Sequence, residues 1–138
     1  MGQVHAEIEL VSGEDLLNVR RGNLDMDEIK KIRITALADT GAIFLCINEN
    51  IQEYLQLPVM ENRRFQLADG KTAQYLVVGP VDIRFQNRQA SCDAIVLPGD
   101  AEPLLGCIPM EAMDVLIDPL RQELVVNPKH PDYAVHRL

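Results

Sequence analysis

The chain has 138 residues, enough for one domain that buries roughly two-thirds of the surface its unfolded chain exposes. Hydrophobic residues make up 47% and charged residues 25%, and no apolar run approaches the ~20 residues of a membrane-spanning helix. Its 21 acidic residues outweigh 13 basic ones for a net charge of -8, so the basic face that a nucleic-acid duplex or an anionic membrane needs is lacking, and neither partner is expected.

The opening residues have no basic region followed by a hydrophobic block, so the chain reads as cytoplasmic; Met1-Gly2 begins like a myristoylation signal, but Ala6 stands where Ser or Thr is wanted. Val4, Ala6, Ile8 and Leu10 then alternate with His5, Glu7 and Glu9, the pattern of a half-buried strand. The run "DLLNVRRGN" reads as another strand ending at Gly22. Asp25 with Glu28 makes a capping-box-like start for a short helix over residues 26–31. "KIRITALAD" alternates again, "AIFLCI" reads as a buried strand, and "NENIQEYLQL" predicts a helix of about two turns, capped by Asn48 and stopped before Pro58.

The middle of the chain reads as strands and turns. In "RRFQLADGKTAQYLVVG", Asp69-Gly70 is a strong two-residue hairpin signal that puts the tip at Gly70. In "PVDIRFQNRQASCDAIVLPGD", Val81, Ile83 and Phe85 alternate up to a turn near Asn87-Arg88, and a strand returns through Ala94, Val96 and Pro98. "AEPLLGCIPMEAMDVLID" runs from a short apolar strand into a brief helix over residues 109–113, with Met110 and Met113 as packing residues. "PLRQELVVNP" supplies a last hairpin and strand, and residues 129–138 read as a loose polar tail. Many short strands with two or three short helices predict an all-β barrel or sandwich, one domain over residues 1–138.

Asp39-Thr40-Gly41 carries the chemistry. Burying an ionised carboxylate in an apolar run costs several kcal/mol unless it is paired or used. Asp39 follows a strand, and Gly41 permits a tight turn that points the acid out of it; alone, the tripeptide reads first as an ordinary Asp-initiated turn. Cys46, Cys92 and Cys107 are odd in number and far apart, which indicates neither a disulfide scaffold nor a zinc site. His5, His130 and His136 match no metal-ligand spacing and read as solvated terminal residues, so no metal or cofactor is expected.

Taken with "ITALADTGA", the Asp-Gly hairpin of "LADGKT" and the Leu104-Leu105-Gly106 that precedes a short helix, the sequence resembles the retropepsin-like aspartic proteases over residues 32–128, closest to the small single-domain prokaryotic members. The resemblance implies a retropepsin-like acid protease barrel in which Asp39 is the catalytic aspartate. Thr40 would bond across a dimer interface, Gly41 and Ala42 would complete the turn and border the substrate, and Leu104, Leu105 and Gly106 would pack behind it. Ala68, Asp69, Gly70, Lys71 and Thr72 would form a flap over a peptide, and the strand around residues 124–126 would join a sheet at the interface. Cys46 and Cys107 would lie just beyond segments that pack together; buried free thiols are the plainer reading than a redox link.

Peptide hydrolysis of this kind needs two carboxylates around one water, and they share a proton because neighbouring like charges cannot both ionise. The chain has no second Asp-Thr/Ser-Gly, so the expected enzyme is a homodimer with one Asp39 from each subunit, acting on peptides or unfolded protein. Two departures from the viral pattern stand out. Ile43 and Phe44 replace acidic residues that bind substrate backbone, and Cys107 replaces a basic one. A non-catalytic peptide-binding or dimerisation module of the same fold is the alternative; a phosphate-handling protein would need a glycine-rich strand-to-helix loop that is absent from the sequence.

Overall fold

Nine strands and three short helices make up the computed structural model, which describes residues 2–138. Strand β1 (Val4–Ser12) buries its alternating apolar residues as the pattern requires. The next segment corrects the sequence reading. Residues after Ser12 form helix α1 (Gly13–Arg20), not a strand, because the Ser12 Oγ accepts the Asp15 N–H at 3.2 Å and caps a first turn rich in acids. Gly22, at φ +77°, ends a helix here rather than a strand. Asp15 is buried, and its carboxylate takes the Lys30 N–H at 2.9 Å and the Lys30 Nζ at 3.0 Å. That tie draws the chain into extended conformation before β2, so the helix expected over 26–31 shrinks to a 3-10 turn at Met26–Glu28.

Strand β2 (Lys31–Ala38) pairs antiparallel with β1 from Val4↔Ala38 to Val11↔Lys31. The remaining elements are β3 (Leu45–Asn48), α2 (Glu49–Leu55), β4 (Val59–Gln66), β5 (Thr72–Phe85), β6 (Arg88–Leu97), β7 (Leu104–Leu105), α3 (Cys107–Met113), β8 (Val115–Asp118) and β9 (Glu123–Val126). Seven strands follow the order β1-β2-β7-β3-β6-β5-β4, and β1 also pairs with β5, which curls the sheet into a barrel. The fold is therefore all-β, with β4 hanging on the outer edge of β5 and β8-β9 forming a separate two-stranded ribbon. Ile8, Leu10, Leu45, Ile47, Ile83 and Leu105 meet in one core that Met110 and Met113 close from α3.

Helix α2 keeps its expected span, with the Asn48 Oδ1 accepting the Ile51 N–H at 2.9 Å. Both expected hairpins share the single long strand β5. At the first tip the Leu67 N–H reaches the Lys71 carbonyl at 2.7 Å and the Gly70 N–H reaches that of Leu67 at 2.9 Å. Residues 68–70 thus make a longer loop than the two-residue turn expected, with Gly70 at φ +85°, where a Cβ would be strained.

Residues 129–138 form neither helix nor strand, yet they are anchored at several points. Asp114 accepts from Asn127 Nδ2 at 3.0 Å and the Val135 N–H at 3.1 Å, with His130 Nδ1 2.7 Å away. The buried Arg88 donates to the carbonyls of Asp114 and His130. His5 and His136 are exposed, as expected of solvated residues, His5 pairing with Glu102 at 3.1 Å and His136 with the Ala112 carbonyl at 2.8 Å, while His130 is half-buried. No described helix is long and apolar enough to cross a membrane.

Candidate active site

Asp39 is the first residue beyond β2, and three backbone-level contacts fix it. Its N–H donates to the Leu105 carbonyl at 3.0 Å, its own carbonyl accepts the Ala42 N–H at 3.1 Å, and its Oδ1 accepts the Gly41 N–H at 2.8 Å. The carboxylate is half-buried at the head of a closed turn, whereas Thr40 and Gly41 are exposed. Oδ2 accepts no hydrogen bond from the described residues. One oxygen is committed to the turn and the other is open.

What makes this turn rigid is β7. Its two residues sit between β2 and β3, parallel to the first (Leu37↔Leu104, Ala38↔Leu105) and antiparallel to the second (Leu45↔Leu105, Cys46↔Leu104). Beyond β7, the carbonyls of Ala42, Ile43 and Phe44 accept the N–H groups of Cys107, Ile108 and Gly106 at 2.9, 3.0 and 3.1 Å. These are donors that the start of α3 would leave orphaned, and Pro109 at the next position has none to satisfy. The loop after Asp39 therefore caps α3, and α3 in turn holds the loop.

That arrangement corrects the reading of "AIFLCI" as one buried strand: only Leu45 onwards is strand. Residues 42–44 turn their carbonyls to α3 instead of to a sheet neighbour, which leaves Ile43 53% exposed. Gly106 is required where it stands. A Cβ there would lie 2.5 Å from both the Ile43 carbonyl carbon and the Phe44 oxygen.

Hydrogen bonds from Asp39 to Leu105 and from residues 106–108 to residues 42–44 thus bring the turn that holds Thr40 and Gly41 against the Leu104-Leu105-Gly106 segment. Ala68, Asp69, Gly70, Lys71 and Thr72 are not brought there: they lie exposed at the β4-β5 tip and bond within the hairpin, the Lys71 N–H reaching the Asp69 Oδ1 at 2.9 Å. Lower in the same hairpin, Phe65 and Tyr75 form an aromatic cluster with Phe44. The sequence reading did not single out Phe65 or Tyr75, although the pairing of β4 with β5 implied by the Asp-Gly turn could have placed them near each other.

Two hollows flank the Asp39 loop. One, of about 490 Å³, is lined by Val4, Asp39, Thr40, Ile117, Pro119 and Gln122. The other, of about 190 Å³, lies among Phe44, Val77, Asp93, Ile95, Ile108 and Pro109. A larger one, of about 600 Å³, lined by His5, Glu9, Arg33, Arg84 and Glu123, does not include Asp39, so volume alone does not mark the site. Among the described residues the one acidic cluster tight enough for a cation, Asp25, Asp27 and Glu28, is exposed and also excludes Asp39. The three cysteines are free; burial pushes the Cys46 thiol up to about 11, and burial with the nearby Asp93 and Asp82 charges pushes Cys92 up to about 12.

A β-barrel that offers an Asp-Thr-Gly turn, wedged from behind by Leu-Leu-Gly, defines the retropepsin-like class of acid protease folds. A family model described as aspartyl protease matches residues 26–111, and the chain belongs to that family. No curated protein matches it.

Proposed function

We propose that the protein is a homodimeric aspartic endopeptidase in which two Asp39 carboxylates, one from each subunit, activate a single water. The observation that carries this reading is the Asp39 turn itself, half-buried and clamped by Gly41 and Leu105, with one carboxylate oxygen left open. A lone carboxylate does not cleave amides, and the sequence holds no second Asp-Thr/Ser-Gly, so the partner is supplied by a two-fold axis. The hollow beside Asp39 and Thr40 suits that role: it is bordered by the β8-β9 ribbon, whose turn holds Leu120 95% exposed.

Across the axis the two carboxylates share one proton, and the pair titrates as a unit. The ionised carboxylate takes a proton from the water as its oxygen attacks the scissile carbonyl, while the protonated one gives its proton to the carbonyl oxygen. The pair then gives the proton taken from the water to the nitrogen of the gem-diol intermediate, the C–N bond breaks, and one gem-diol hydroxyl returns its proton to the pair as the acid and amine leave, restoring the shared proton. Thr40 links the two turns, Gly41 and Ala42 border the substrate, Leu104, Leu105 and Gly106 hold the turn from behind, and residues 68–72 cover the peptide.

Ile43, exposed where the viral enzymes carry acidic residues, and Cys107, in place of a basic one, favour a second reading: a non-catalytic module of the same fold that binds an extended peptide or dimerises. Cleavage of an unfolded test protein in mildly acidic buffer separates the two. The enzyme reading expects Asp39→Asn to lower kcat by roughly a thousand-fold or more while sedimentation still reports a dimer. Equal behaviour of wild type and Asp39→Asn at every pH, or a strict monomer at high concentration, removes the catalytic reading.

A further inference from the structure

Phe44 ends the loop that begins at Asp39, and its carbonyl is pinned by the Gly106 N–H at 3.1 Å, so its ring stands on a fixed base. Phe65 stands on β4, which among the described residues pairs only with β5 and leads to the exposed tip at residues 66–72. The two rings meet edge to face, centroids 6.0 Å apart and planes at 73°. Tyr75 supports Phe65 from across the hairpin at 6.0 Å. The Arg63 guanidinium lies 5.9 Å from the Phe65 centroid, held by a two-point contact with Glu61 at 2.8 and 3.2 Å.

We propose that Phe65 is a positioning residue that sets the resting height of the β4-β5 hairpin over the Asp39 loop through its edge-to-face contact with Phe44. The proposal rests on the peptidase reading for its effect on turnover, but its mechanical part stands without it. A hairpin extended from one edge of a barrel opens easily, because few contacts resist local separation. The Phe44–Phe65 contact joins this edge hairpin to a loop that three hydrogen bonds hold against the start of α3.

Limited trypsin digestion reads hairpin opening directly, since Arg64 and Lys71 are exposed cleavage points on either side of the tip. Phe65→Ala is expected to speed nicking at Lys71 by roughly three- to ten-fold, the range such an aromatic pair implies, with Phe65→Leu intermediate and Phe65→Tyr close to wild type. Phe44→Ala should also speed nicking, though by no more than Phe65→Ala, which loses the Tyr75 and Arg63 contacts as well, and the double variant should be no faster than Phe65→Ala, because the Phe44–Phe65 contact is then already gone. In peptide cleavage the same variants should raise KM several-fold with kcat changed less. Wild-type nicking rates in Phe65→Ala, or effects of the two single variants that simply multiply, would overturn the proposal. Faster nicking with no cleavage by any variant, wild type included, upholds the positioning role and refutes the peptidase reading instead.

Discussion

Gly106 stands against Phe44 with its N–H 3.1 Å from the Phe44 carbonyl and no room for a side chain between them. Its backbone is at φ -85° and ψ -179°, which any residue adopts, so the need for glycine is one of space. Gly106→Ala should therefore cost about 3 kcal/mol by forcing the loop of residues 42–44 off α3. Urea unfolding measures the loss, and an alanine variant as stable as wild type would show that the two segments separate freely.

Asn48 gives a second, independent stability test. Its Oδ1 caps α2 through the Ile51 N–H, and its Nδ2 donates to the Ala101 carbonyl at 2.9 Å, so one side chain ties the end of β3 to the segment before β7. Asn48→Ala is expected to lose about 1–3 kcal/mol, and Asn48→Asp less, since aspartate keeps the cap but not the donor. Chemical denaturation of the three proteins ranks them.

Acid should unfold the chain partly through Asp114. Hydrogen bonds from Asn127, then from the Val135 N–H, and the nearby His130 hold its carboxyl well below the usual carboxylate range. A carboxyl depressed in the folded state stabilises above its unfolded pKa, near 4, and that contribution fades as pH falls below about 4. The urea midpoint of wild type should thus drop more steeply between about pH 5 and pH 2 than that of Asp114→Asn. Parallel slopes would assign acid sensitivity to other groups.

Elements whose pattern is local were legible in the sequence: the alternation of β1 and β2, the Asn48 cap and the hairpin tip at Gly70 all stand where their residues put them. Helix α1 was misread because its apolar residues suggest no clear face and Asp15, its one buried residue, is an acid. The signal was present in Ser12-Gly13-Glu14-Asp15, a helix start, with Gly22 as its stop. The Asp39 turn was legible as a motif, but the carbonyl-to-amide clasp between residues 42–44 and 106–108 was not, since nothing local in either segment announces the other.

Cysteine chemistry supplies a further check. With thiols pushed up to about 11 and about 12, Cys46 and Cys92 are almost wholly protonated at pH 8 and should alkylate far more slowly than a free thiol with the ordinary value near 8.5. Mass spectrometry after timed iodoacetamide treatment reads each site separately. Rapid modification of either in the folded protein would mean that the barrel opens on that side.

The insertion of β7 between β2 and β3 also gives the barrel an order of assembly. Leu104 and Leu105 come late in the chain, while the strands they join come early. During synthesis β1, β2 and β3 leave the ribosome with a gap between the second and third, and Asp39 has no Leu105 carbonyl to receive its N–H. The turn is set only when residues near the far end arrive. Timing is thus written into the topology: a nascent or truncated chain that stops before Leu104 carries the Asp-Thr-Gly sequence without the shape that gives it meaning.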